Sequence, residues 1–415
     1  MNSFFLALGL TLPMSVIVSA QTSAPIRNWK SNDGKAIQAS FVSLQGDQVE
    51  IKMANGSLFK VPLNRFSAED QQYAQAQASK SVSADAPNSS ALPVASKTWP
   101  RMVALESKPE IVVVKESPET KEYIYKSPHY EFQCDSKLGA NVVREFGRLF
   151  EATWLLNCLL PLDLKPEPEK LRTSYLARLF TGKSDYMAAG GVEGSGGIYM
   201  SGKKALMVPL SSLGVKMAGS RVILEGGNDD DNATLIHEIT HQMMNRWLGL
   251  LSTWMIEGAA EYAEIPEYDG SGKFNFIGIE RRLKKYAERM NGWQGSGKEF
   301  KMLDLEELMG LDGARWANAL VTGQATQNYG SAGMLTYFFY HMDGEGDGAN
   351  IIAFYQAVKM AKTKDELKAA TLKHLMRERS YAQLADDVKK GFRKEGIDIL
   401  FQPPGKNAAA SASQE

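Results

Sequence analysis

Residues 235–262 read LIHEITHQMMNRWLGLLSTWMIEGAAEY. Leu235, Ile236, Ile239, Met243 and Met244 recur at the spacing of a helix, Gly249 breaks the run, and a second apolar helical stretch begins at Trp254. Residues four apart share a helix face, so His237 and His241 can bring two imidazole nitrogens to one metal ion while Glu238 projects beside them toward a bound water. The chain has 5 histidines in 415 residues. An HExxH match arises by chance in roughly a few per thousand such chains. On the second helix Glu257 and Glu261 also stand four apart. Catalytic zinc typically takes three protein ligands, and two histidines with one glutamate are a standard set, which makes Glu257 the natural third ligand. Glu261, one turn further along that face, can accept a hydrogen bond from the outer ring nitrogen of a ligating histidine and fix its orientation.

HExxH followed by a helix of the form WxxEGxAEY resembles the gluzincin metallopeptidases, the group that includes thermolysin and aminopeptidase N. It is more closely similar to the small exported peptidase-MA-like branch of that group. The resemblance implies zinc on His237, His241 and Glu257, Glu238 as general base, and Glu261 behind a ligand histidine. Tyr329, in Asn328-Tyr329-Gly330-Ser331-Ala332-Gly333, resembles the tyrosine that gluzincins place over the oxyanion, and it reads equally well as a tyrosine packed at a helix start. Gly196, Gly197, Ile198 and Tyr199 resemble the edge strand that pairs with an extended substrate, with a flexible hairpin as the other reading. The segment Gln242–Ile256 is shorter than its counterparts in thermolysin and aminopeptidase N, so substrate preference does not carry over. No match to the glycine-methionine-asparagine motif supports an exopeptidase.

The expectation is therefore a zinc metallopeptidase, an endopeptidase hydrolysing peptide bonds by metal-activated water with Glu238 as the base. Two alternatives stand beside it: a zinc amide hydrolase acting on cell-wall peptide, and a catalytically inactive binding protein on a peptidase fold. Glu238 speaks against the second, because loss of activity often removes the general base.

Upstream, from Ile26 to Ala76, the apolar pattern has period two, broken at Asn32-Asp33-Gly34, Gln45-Gly46-Asp47 and Asn55-Gly56. Ile37, Ala39 and Phe41 are expected on one strand face, as are Val49, Ile51 and Met53, and then Phe59, Val61 and Leu63. Ser67, with Asp70 three positions on, opens a short helix. A small SH3-like barrel over residues 25–76 accounts for this pattern. Arg27-Asn28-Trp29, Gly34 to Val42 and Leu63 to Ser67 resemble the small Sla-type homology domain of exported bacterial proteins. That resemblance implies a peptide or protein ligand, the alternative being a solubilising spacer.

Residues 77–98, rich in Ser, Ala, Pro, Asn and Gln, read as a disordered linker, and residues 99–402 as the metallopeptidase-like domain. Within it Glu110–Val114, Glu122–Tyr125, Tyr130–Cys134, Thr173–Phe180, Gly197–Met200 and Ala205–Leu210 read as strands. Gly139–Leu159 reads as a helix with Val143, Phe146, Phe150 and Trp154 on one face, and the chain from Ala233 onward as mainly helical. A mixed sheet lobe followed by a helical lobe is an α+β architecture. Cys134 and Cys158 read either as a disulfide formed after export or as two buried thiols.

At the start, Phe4 to Val18 is an apolar run closed by Ser19 and Ala20, which reads as a signal peptide over residues 1–20. The run is shorter than the ~20 residues that span a bilayer. No later segment reads as a membrane span, so the expected location is periplasmic or extracellular. Residues 403–415 read as a disordered tail. The chain carries 47 Lys plus Arg against 48 Asp plus Glu, and 44% of its residues are hydrophobic. That composition supports a large core without a disulfide scaffold. A near-zero net charge and the lack of a long basic run argue against nucleic acid. The expected partners are a peptide or protein substrate and a protein ligand of the small barrel.

Overall fold

The computed structural model describes residues 26–45, 48–53, 57–81, 98–169, 172–193, 195–213, 215–218, 221–224, 229–291 and 298–402. The expected signal peptide, the tail, the Asn55-Gly56 turn and all of the linker from residue 82 to residue 97 lie outside them. The chain divides into two compact units, Met1–Ala91 and Leu92–Glu415.

In the first unit, β1 (Arg27–Lys30), β2 (Ala36–Gln45), β3 (Gln48–Met53) and β4 (Leu58–Pro62) pair antiparallel in chain order. The β1–β2 turn places Gly34 at φ 83°, the left-handed region that glycine tolerates. Trp29 is fully buried: its indole N–H donates to the Ala39 carbonyl at 3.1 Å and its ring lies 4.9 Å from that of Phe66. The helix α1 (Ala68–Ser81) is fastened to β1 through Asp70, whose carboxylate accepts the Lys30 N–H at 2.7 Å and pairs with Arg27 at 2.7 Å.

Three details differ from the expectation. The four strands form an open sheet, with no β1–β4 pairing among the described residues. Pro62 ends β4, the chain turns through a 3-10 segment at Leu63–Arg65, and a single bridge between Ser31 and Phe66 joins the two ends. Phe59 stands opposite the buried Ile51, yet it is 52% exposed because its strand is at the sheet edge and is covered on one side only. The helix also runs on to Ser81, past Gln77 where a linker was expected, through Ala and Gln residues that favour helix.

The second unit begins with β5 (Met102–Ala104), β6 (Val112–Ser117), β7 (Glu122–Lys126) and β8 (Tyr130–Cys134), then α2 (Ala140–Leu159), β9 (Tyr175–Phe180), α3 (Lys183–Ala188), β10 (Ile198–Met200) and β11 (Ala205–Pro209). The main sheet has the order β10-β11-β9-β8-β7-β6, with β8, β9 and β11 parallel to one another and β10 an antiparallel edge strand. The amphipathic face of α2 covers it: Phe150 packs against Tyr130 and Phe132 at 4.9 and 5.1 Å. Cys134 and Cys158 are free, buried thiols, and burial pushes the Cys134 thiol up to about 12.

A hairpin of β12 (Val215–Ala218) and β13 (Arg221–Leu224) leads to α4 (Asp229–Met243) and α5 (Thr253–Glu264). Next come β14 (Glu267–Tyr268), β15 (Lys273–Asn275), α6 (Ile279–Met290), β16 (Glu299–Met302), α7 (Leu305–Met309), α8 (Gly313–Thr322) and α9 (Ala325–His341). The chain closes with α10 (Ala349–Met360), α11 (Lys364–Ala370), α12 (Tyr381–Lys394) and β17 (Asp398–Phe401). The helical lobe thus carries strands that periodicity did not reveal: β14 and β15 form a sheet with β5, and β16 pairs parallel with β17. Taken together the unit is α+β. No described helix is long and apolar enough to cross a membrane.

Two side-chain bonds fix α4 in this frame. Gln242 Nε2 donates to the Leu176 carbonyl of β9 at 2.9 Å, and Asn157 of α2 donates to Thr240 at 3.3 Å. Helix α5 packs closely on α9. A Cβ at Gly258 would lie 2.2 Å from Thr336 Oγ1 and 2.5 Å from the Ala332 carbonyl, so only glycine permits this approach.

Candidate metal centre

His237 and His241 project from one face of α4, and Glu257 projects from the first half of α5. His237 Nε2 and His241 Nε2 lie 3.0 Å apart, His241 Nε2 is 3.1 Å from Glu257 Oε2, and His237 Nε2 is 3.4 Å from that same oxygen. Ligands about 2.0–2.1 Å from a tetrahedral zinc ion are separated by about 3.3 Å. The three atoms therefore fit the edges of one coordination tetrahedron, and their chemistry, two imidazoles and a carboxylate, suits zinc. His237 is 8% exposed, so the triangle is built inside the protein.

The charges around it are coupled. Burial alone would lower the His237 imidazole, but Glu257, Glu261 and Glu264 together hold it well above its usual range. Burial acts against ionisation of Glu257, and the two imidazoles outweigh it, holding the carboxyl well below the carboxylate range.

The carboxylate expected behind a ligand histidine was Glu261, and the structure brings two there. His237 Nδ1 is 3.4 Å from Glu261 Oε1 and 3.0 Å from Glu264 Oε1, and only the second is a hydrogen bond. Glu264 Oε2 also accepts from Arg289 of α6 at 2.7 Å, while Glu261 accepts from the Tyr286 hydroxyl at 2.7 Å. Burial and the neighbouring Glu264 push the Glu261 carboxyl up. For Glu264 burial is outweighed by His237 and Arg289, which pull it down. Glu264 was absent from the sequence reading, although it falls seven residues after Glu257 on the same helix face. His241 Nδ1 is buried without a hydrogen-bond partner among the described residues.

Glu238 lies beside the triangle, facing β10. The Tyr199 N–H donates to its Oε2 at 2.9 Å. Burial raises the Glu238 carboxyl against the pull of His241 and His237. Gly196 and Gly197 lie against the same helix: a Cβ on Gly196 would meet Thr234 at 2.6 Å, and one on Gly197 would be 3.6 Å from Glu238 Cγ. Gly196, Gly197, Ile198 and Tyr199 thus run along α4, with the Tyr199 hydroxyl donating to Glu169 at 3.0 Å.

Tyr329 lies one turn inside α9 and not at its start. Its ring is 5.9 Å from that of His237 and 5.3 Å from that of Trp316 on α8. Burial, and after it Glu257, push its phenol up to about 12, so it stays protonated and able to donate. Every site residue named from sequence falls in one cluster. Glu264, Arg289, Tyr286 and Trp316 complete it, and no local sequence pattern marked the last three.

The comparisons with known proteins bear on the other unit. Residues 19–82 match the family described as SLA1 homology domain 1, SHD1. No curated protein matches the chain. The match covers the segment containing β1 to β4 and α1, where the resemblance to a Sla-type domain was read.

Proposed function

We propose that this chain is an exported zinc-dependent peptidase of gluzincin type, an endopeptidase whose substrates are peptides or proteins. The observation that carries the reading is the approach of three ligand atoms to within 3.0–3.4 Å of one another beside a buried carboxylate. Zinc held by His237, His241 and Glu257 would supply a Lewis acid that polarises a carbonyl and makes water more acidic.

The remaining work falls to side chains and backbone of this chain. Tyr199 N–H fixes one oxygen of Glu238, leaving Oε1 to take a proton from water and return it to the leaving amine. Tyr329, protonated at neutral pH, donates to the carbonyl oxygen as negative charge develops on it. The edge strand β10 pairs with an extended substrate main chain. Residues 1–20 act as the signal peptide, which places the protein in the periplasm or outside the cell, and the N-terminal four-stranded sheet binds a protein ligand.

Elemental analysis of the purified protein, combined with cleavage of a mixed peptide library with and without chelator, tests the proposal. One zinc per chain and chelator-sensitive cleavage are expected. Zinc without peptide cleavage would turn the reading toward an amide hydrolase of cell-wall peptide, and no affinity for zinc would leave the inactive binding protein.

A further inference from the structure

Trp316 is 4% exposed, yet its indole Nε1 makes no hydrogen bond among the described residues. A buried donor left unpaired costs free energy, so one that stands beside an available acceptor has a reason to engage it. Its ring meets that of Tyr329 edge-on, at 89° and 5.3 Å between centroids, while Tyr329 also lies against His237. The indole N–H favours loss of the phenolic proton, opposing the rise that burial and Glu257 cause.

An indole N–H can only donate, whereas a phenol oxygen can accept one hydrogen bond while its own proton is donated elsewhere. The pair can therefore engage with one polarity only, N–H to oxygen, and that polarity frees the phenolic proton to point away from Trp316. We propose that Trp316 is a positioning residue: its N–H closes on the Tyr329 oxygen and turns the hydroxyl proton toward the cleft at His237, His241 and Glu257. The two bonds reinforce each other, since a hydroxyl that accepts becomes a stronger donor. What Tyr329 donates to rests on the peptidase reading; the contact between Trp316 and Tyr329 does not.

The test uses the full chain with 15N-labelled tryptophan. Its 7 tryptophans give one indole signal each. Trp316→Phe, or Trp316→Tyr should the first fail to fold, identifies the signal of Trp316. Tyr329→Phe removes the acceptor oxygen and keeps the ring, and it is expected to move that signal upfield and leave the others in place. In peptide cleavage, Trp316→Phe is expected to lower kcat about tenfold with KM unchanged. It should cost nothing further when Tyr329 is already Phe. A Trp316 signal indifferent to Tyr329→Phe, or losses that simply add, would overturn the proposal. If the wild-type chain cleaves no peptide, the peptidase reading falls while the indole signal still decides the role of Trp316.

Discussion

His237 Nδ1 lies 3.0 Å from one oxygen of Glu264, and the other oxygen of Glu264 accepts a 2.7 Å bond from Arg289. The imidazole is thus oriented through a carboxylate that is itself held from a different helix. Partners of this kind typically contribute 10–100-fold to metal affinity, so Glu264→Gln is expected to weaken zinc binding by about that factor. Glu261→Gln should cost less, because that carboxyl sits further from Nδ1, at 3.4 Å against 3.0 Å. Competition against a chelator measures both, and a larger loss at Glu261 would reverse the assignment.

Glu238 has no part in the three-atom triangle, so Glu238→Gln should bind zinc as the wild type does. Cleavage should fall by about 10²–10⁴, the usual contribution of a general base. Peptide turnover at matched metal content reads this directly, and full activity in the variant would remove Glu238 from the mechanism.

Gly258 is where α5 and α9 come closest. Gly258→Ala places a methyl group inside the contact distance of Thr336 and the Ala332 carbonyl, and one of those neighbours is backbone. Overpacking of this kind costs about 1–3 kcal/mol. The denaturation midpoint should fall without a change in slope. A midpoint equal to the wild type would show that the two helices can separate freely.

His341 sits among the rings of Trp99, Tyr262, Tyr337 and Tyr340, with its Nε2 2.9 Å from the Tyr262 hydroxyl. Burial drives its pKa down to about 3 from an ordinary 6.5. Below 6.5 the unfolded chain binds a proton that the folded chain refuses, so stability is lost as the pH falls from about 6.5 toward 3. At pH 5 the loss is about 2 kcal/mol. Denaturant titrations of wild type and His341→Phe at pH 7 and pH 5 isolate this contribution. A wild type that loses no more stability than the variant would show that the ring protonates in place.

The clustering of His237, His241 and Glu257 was legible because helix periodicity carries it: the three need only two adjacent helices and the break at Gly249. Glu264 was missed although it shares the helix face of Glu257 and Glu261, because its partner Arg289 lies on another helix and no local pattern links the two. The strand from Tyr130 to Cys134 followed from the alternation of Tyr130, Phe132 and Cys134, and that from Ala205 to Pro209 from a short apolar run. The pairing of β16 with β17 did not, since each is a four-residue strand and they meet across most of the helical lobe. Phe59 was misplaced for a related reason, because alternation tells which residues share a face and not whether anything covers it.

The bond from the Tyr199 N–H to Glu238 has a consequence for association. A bare edge strand is a template onto which another chain can add, and natural sheets guard such edges against polymerisation. On β10 a side-chain carboxylate occupies the central main-chain donor, so the edge is blocked to a stray strand that needs that donor, while the other main-chain groups of the edge stay open to a substrate. Glu238→Ala would strip that guard, whereas Glu238→Gln keeps an acceptor oxygen in place. Light scattering on the two variants should find the alanine form the more prone to associate, and equal scattering would assign the guarding of this edge to something else.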